Sequence, residues 1–183
     1  MFLSAGRGEG LIVMMMDSTP SGAGSEDDAA WMRLALLEAR AAADEGEVPV
    51  GAVVVLGGRV IGRGRNACER LQDATAHAEI LAISAASQVV GSWRLEDCTL
   101  YVTLEPCPMC LGACLNARVA RVVYGAREPK AGACGSVCDL HALPGFNHRL
   151  DVTGGVMGEE AATAMRSFFR ELRAKRRAED DAD

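Results

Sequence analysis

Aromatic residues are scarce in this chain, at 4% of its 183 residues. Its core must therefore be built from Ala, Val, Leu, Ile and Met, and a hydrophobic share of 49% is enough for a folded body. Long hydrophobic runs are lacking too. The apolar stretch Leu11–Met16 is shorter than a signal core or a membrane span, and acidic, Ser/Gly-rich sequence follows it. Neither a secretory signal nor a membrane association is expected. An even cysteine set is missing, since the chain has seven. That excludes a fully paired disulfide framework and predicts reduced thiols in the cytoplasm, where cysteine spacing more often signals a metal. No internal repeat is visible.

The net charge is -6, with a pI near 5.1, which argues against a general polyanion binder. The distribution qualifies that total. Acids gather at Glu26–Asp28 and at Glu179–Asp183, while Arg166, Arg170, Arg173, Lys175, Arg176 and Arg177 form a basic run before the second group. By default such a run is a solvated helix face; its functional reading is phosphate contact.

Length fits one domain with tails. Residues 1–28 read as a disordered leader of Gly, Ser, Pro and acid, residues 29–178 as the domain, and 179–183 as an acidic tail. Periodicity predicts a helix from Ala29 to about Glu45, and a hairpin of Val50–Leu56 and Arg59–Gly64 around Gly57-Gly58. A polar loop over Asn66–Asp73 leads to a helix over Ala76–Ser87, a buried strand Thr99–Leu104 and a short helix Pro108–Asn116. Then come a strand Val119–Gly125, a short helix near Ser136–Leu143, a last strand Asp151–Val156, and a helix from Glu159 to about Arg177. This order implies an α/β fold, with a sheet covered by helices on both faces.

The chemistry sits in two short segments, His77-Ala78-Glu79 and Pro106-Cys107-Pro108-Met109-Cys110. One imidazole and two thiolates suit tetrahedral zinc, and three protein ligands leave a fourth corner for water, the pattern of a catalytic site. Cys107 and Cys110 are spaced so that both sulfurs can face one ion, at a helix start that favours thiolate. His77 also opens a helix, with Thr75 as a candidate cap. Glu79 lies near the ion without being a ligand, placed to shuttle protons between a zinc-bound hydroxide, a ring nitrogen and a departing amine. An HxE or a CxxC alone says little; together they form the zinc nucleobase-deaminase signature. Cys114, one helical turn past Cys110, could close the metal site as a fourth ligand. The remaining cysteines read as inert thiols, and no His pair accompanies Cys134 and Cys138 to suggest a second metal. His141 and His148 read as surface or loop residues.

Beyond these motifs the chain resembles the bacterial tRNA-specific adenosine deaminases of the TadA type. The matching stretches are Glu47–Ala52, Arg59–Gly62, Thr75–Ile80, Leu100–Cys110, Arg121–Arg127, Gly145–Arg149 and Ser167–Arg170. The resemblance implies a cytidine-deaminase-like three-layer α/β/α sandwich with a mixed five-stranded sheet. It implies one Zn2+ per subunit on His77, Cys107 and Cys110, with Glu79 catalytic. It implies a homodimer acting on a tRNA anticodon stem-loop, converting adenosine 34 to inosine. Asn66 would contact the flipped-out nucleotide and Val50 would pack on the base. Phe169, Arg170 and Arg173 would meet the loop, with His148 supporting it. Glu128 stands where relatives carry Asp beside the target sugar, Ala74 replaces a usual Pro, and Ala43 and Arg65 replace aromatic residues. Two other readings stay open: a deaminase of a free base or nucleoside such as guanine or cytosine, and a zinc-stabilised RNA-binding protein without catalysis.

Overall fold

The computed structural model describes residues 26–181. The chain runs α1 (Glu26–Asp44), β1 (Gly51–Leu56), β2 (Arg59–Arg65), α2 (Cys68–Leu71), α3 (Ala78–Val90), β3 (Thr99–Leu104), α4 (Pro108–Asn116), β4 (Arg121–Ala126), a 3-10 turn (Leu140–Ala142), β5 (Asp151–Gly154) and α5 (Gly158–Asp180). The five strands form one sheet in the order β2-β1-β3-β4-β5. β1 is antiparallel to both β2 and β3, whereas β3, β4 and β5 are parallel. The expected mixed sheet with helices on both faces is the observed one.

Strand alternation builds the two faces. Ala52, Val54, Leu100, Val102, Val122 and Tyr124 point into one apolar cluster with α3 and α4. Val53, Val55, Tyr101 and Val123 point into the other, with Met32, Ala35 and Leu36 of α1 and Ala161 of α5. A continuous valine run suits β1 because both of its faces are covered. The Gly57-Gly58 turn has φ of +54° and +73°, as a tight two-residue hairpin requires.

The leader boundary moves. α1 begins at Glu26, and Asp28 is buried at 3% exposure rather than lying in a solvated tail. The Arg121 guanidinium donates to both Asp28 oxygens at 2.9 Å, and the Tyr101 hydroxyl donates at 2.9 Å. Burial first, then Asp28, pushes the Tyr101 phenol above its ordinary range. At the other end α5 continues through Glu179 and Asp180, so the expected acidic tail starts as helix. The rest of the leader, residues 1–25 with Leu11–Met16, and Ala182 and Asp183 lie outside the described residues.

Two glycines of β2 let α3 lie directly on the sheet. A Cβ at Gly64 would overlap the Ala78 carbonyl and sit 2.6 Å from the Ala82 nitrogen. Those atoms form the first turn of α3, next to His77 and Glu79. Gly64→Ala is therefore expected to lower stability by about 2 kcal/mol, through overpacking against backbone that cannot give way. Urea denaturation measures it, and an unchanged midpoint would show that α3 tolerates the shift.

Candidate active site

The parallel strands β3 and β4 end side by side, and ligand crevices of open α/β sheets form outside such carboxyl ends. Here β3 leads through Glu105 and Pro106 into Cys107, the N-cap of α4, whose extended backbone turns its side chain off the helix axis. Pro108 follows in the first turn, where a missing N–H costs nothing. His77 is likewise the N-cap of α3, with φ −74° and ψ 152°. Neither helix start has a side-chain cap. Thr75, the expected cap, instead closes a turn with Asp73. Its N–H and hydroxyl both donate to Asp73 Oδ1, at 2.8 and 2.7 Å, and hold Asp73 below the usual carboxylate range. That turn delivers the chain to His77.

The two helix starts bring three donors together. His77 Nδ1 lies 3.8 Å from Cys107 Sγ and 3.4 Å from Cys110 Sγ. The three ligand atoms fall within 4.8 Å of one another, and among the described residues no other His, Cys, Asp or Glu group does so. Cys114 stays out of the trio, fully buried in the apolar cluster. The donor set fits a metal of borderline softness such as zinc, with a corner left for a small ligand. The thiols share protons unequally: the hydrogen bond from Cys110 pulls Cys107 down to about 4, helped by His77, while Cys110, the donor, is pushed up. His77 is raised, chiefly by its bond with Cys107.

Glu79 is 4% exposed, and burial raises its carboxyl. Its charge helps to push the Cys110 thiol up. Glu79 also lines a cavity of about 720 Å³ that reaches His77 and Cys107. Val50, Asn66, Glu128 and Phe169 line the same cavity, so four of the residues expected to hold substrate share it with His77, Glu79 and Cys107. Val50 is 8% exposed and offers an apolar surface. Phe169 packs edge-to-face on Phe168 with ring centroids 5.4 Å apart.

Three others do not converge. Arg170 and Arg173 are exposed further along α5, outside the cavity lining. His148 lies in a separate hollow with Arg118, Phe146 and Asn147, and its Nε2 is 2.7 Å from the Val119 carbonyl oxygen. In this chain His148 ties its loop to β4's approach at Val119 and is not part of the cavity lining.

Glu47 and Glu105 are not singled out by motif, yet both are buried and line the cavity. Glu47 accepts from Asn66 Nδ2 at 3.1 Å and from the Arg70 N–H at 2.7 Å. A carboxylate only accepts, so it fixes the Asn66 amide with the NH2 toward Glu47. Asn66 Oδ1 is left as an acceptor with one weak donor, the Cys68 thiol at 3.7 Å. Both acids sit in the stretches that carry the family resemblance, but the sequence does not show which acids are buried.

Comparison with known proteins agrees with this architecture. Residues 26–173 match the MafB19-like deaminase family. A tRNA-specific adenosine deaminase of Bacillus subtilis (strain 168) is 48% identical over 151 residues, which are 82% of this chain and 94% of that protein. A solved structure from work on A-to-I editing by tRNA:A34 deaminases superposes with a TM-score of 0.72 at 47% identity, covering 74% of this chain and 98% of the other. A guanine deaminase from Bacillus subtilis superposes with a TM-score of 0.54 at 32% identity, covering 79% and 92%. The chain belongs to the MafB19-like deaminase family and, within it, to the tRNA-specific adenosine deaminases.

Proposed function

We propose that this chain hydrolytically deaminates adenosine to inosine at the wobble position of a tRNA anticodon loop. The observation that carries the reading is the buried Glu79 lining, with His77 and Cys107 of the His77, Cys107 and Cys110 trio, a cavity that also has apolar side chains such as Val50 and Leu104 and polar ones such as Asn66. His77, Cys107 and Cys110 would hold one Zn2+, which when bound makes a water molecule acidic near neutral pH. Val50 gives the base an apolar surface, and Asn66 Oδ1 offers an acceptor that Glu47 orients. Glu79 takes the proton from the attacking water on a carboxylate oxygen and hands it to the ring nitrogen beside the amidine carbon. It then moves a proton to the exocyclic amine. The C–O bond forms, the C–N bond breaks, and ammonia leaves. The anticodon loop is single-stranded, so its base enters the cavity without melting a duplex.

Phe169, exposed and in the cavity lining, would stack on a neighbouring base, and the exposed Arg170 and Arg173 further along the same helix would meet the phosphates. Charge reversal at Arg173 is expected to weaken stem-loop binding and to lower the slope of log affinity on log salt by about one. Bound zinc stays unchanged; a salt slope identical to wild type assigns the basic run to solvent.

A homodimer belongs to this reading. Its support is a set of exposed apolar residues, Met109, Val137, Leu143 and Phe146, on α4 and the segment around the 3-10 turn. So does a cytoplasmic site of action; among the described residues no helix is long and apolar enough to cross a membrane. The likeness to a guanine deaminase supplies the competing reading. Incubation with an adenosine-containing anticodon stem-loop, and separately with guanine and cytosine, decides between them. Inosine at the wobble position is expected, and ammonia from the free bases alone would overturn the proposal.

A further inference from the structure

Glu105 is 2% exposed, lies two residues before Cys107 and lines the cavity, yet it is not part of the His77, Cys107 and Cys110 cluster. Four donors converge on its carboxylate. Oε1 accepts from the backbone N–H groups of Cys134, at 2.9 Å, and Ser136, at 3.1 Å. Oε2 accepts from the Glu128 N–H at 3.1 Å and from the Ser136 hydroxyl. Among the described residues no cation pairs with it, so neutral dipoles alone balance the carboxylate.

Those donors belong to one segment, residues 128–136, whose first part is a cavity wall: Glu128, Pro129, Lys130 and Ala131 all line it. The segment is tied at further points. Ala133 donates to the Pro106 carbonyl at 2.8 Å and Leu140 donates to the Ala133 carbonyl at 3.0 Å, while within the segment Gly132 closes a turn on the Glu128 carbonyl at 2.8 Å. Gly132 passes so close that a Cβ there would sit 2.6 Å from each Glu105 oxygen. At its far end the segment is also packed, since Gly132, Ala133 and Cys134 are buried and the last two join the apolar cluster of α3 and α4, whereas at the near end Pro129 and Lys130 are exposed and the Glu128 carboxylate accepts the Lys130 N–H at 2.9 Å, a bond within its own turn. The Glu128 end, with its exposed neighbours, is joined to that packed end through the buried Glu105 carboxylate.

We infer that Glu105 is a positioning residue for the RNA substrate: it holds segment 128–136 as the cavity wall against which the target nucleotide is placed. The inference rests on the proposed RNA reading of this cavity. A glutamine at this position shows why the charge is needed. Its one amide oxygen can serve the Cys134 and Ser136 amides, but its NH2 then faces the Glu128 N–H, donor against donor. The Glu128 end of the wall is released while the chain path to Cys107 is kept.

Steady-state kinetics of the zinc-loaded, full-length protein on an anticodon stem-loop test this. Glu105→Gln is expected to raise KM roughly tenfold, the size of one buried donor left unpaired, with kcat within about twofold and zinc per chain unchanged. Ser136→Ala, which removes a single bond from the loop side, raises KM less. Combined with Glu128→Ala, Glu105→Gln adds little further, because both act through the same wall. An unchanged KM in Glu105→Gln overturns the inference, as does a fall in kcat together with zinc, which would make Glu105 a support for Cys107. Multiplying effects in the double variant overturn it too. Should Glu105→Gln fail to fold, Ser136→Ala decides by the same criteria. If Glu128→Ala alone leaves KM unchanged, the sugar contact assigned to Glu128 falls; a KM rise in Glu105→Gln still supports the wall.

Discussion

Glu79→Gln is expected to abolish turnover while leaving the metal in place. The substitution keeps shape and burial but removes the carboxylate proposed to carry protons. General acid–base catalysis is worth about 10²–10⁴-fold, and in the proposed reaction one carboxylate serves both the attacking water and the leaving amine, so kcat should fall by about 10³-fold or more. Zinc is expected to remain at one per chain, because the metal trio is complete without Glu79. Stem-loop affinity should change little, since the cavity walls from Val50 to Phe169 are untouched. Inosine release, bound zinc and stem-loop affinity are measured on the same preparation. A variant that loses its metal makes Glu79 a ligand, and one that keeps normal turnover removes deamination by this site altogether.

Cys107→Ser is expected to lose both metal and activity, and added zinc should not restore them. The structure gives this substitution a large effect for a local reason. Cys107 is the N-cap of α4, with its sulfur 3.8 Å from His77 Nδ1, and among the described residues no other set of three His, Cys, Asp or Glu atoms lies within 4.8 Å of one another to replace it. Cys114, one turn along the same helix, is packed in the apolar cluster and cannot take over. A hydroxyl is a poor substitute for a thiolate toward zinc. Wild-type protein stripped with a chelator is the control: its activity should return with zinc alone. Metal that binds only the folded state also stabilises it by mass action, so the stripped wild type and Cys107→Ser should both melt below the zinc-loaded protein. Full activity in Cys107→Ser, with zinc retained, would exclude the trio as the metal centre.

Different residues of this site are legible in the sequence to different degrees. His77, Glu79, Cys107 and Cys110 are readable because their geometry is local: each pair sits at one helix start, and spacing along the chain sets which side chains share a face. The Gly57-Gly58 hairpin and Pro108 are readable for the same reason. Thr75 misleads as a cap because Asp73, two residues earlier, competes for its hydroxyl and N–H. α2 lies where only a polar loop is expected, as a single turn of Cys68–Leu71 carries too little periodicity to detect. Asp28 looks like part of a solvated acidic leader until the fold brings Arg121, 93 residues away, against it.

By itself, then, the amino-acid order determined the reaction class, the His77, Cys107 and Cys110 cluster and the layered sheet, since these follow from short-range spacing and from which residues prefer to be buried. Only the tertiary structure decided where the acids go: Glu47 on the back of Asn66, Glu105 beneath segment 128–136, Asp28 against Arg121. It also set His148 apart from the cavity that Phe169 joins. The physical reason is range. A buried carboxylate survives only where donors from distant parts of the chain converge on it, and no pattern of neighbours along the sequence reports that convergence.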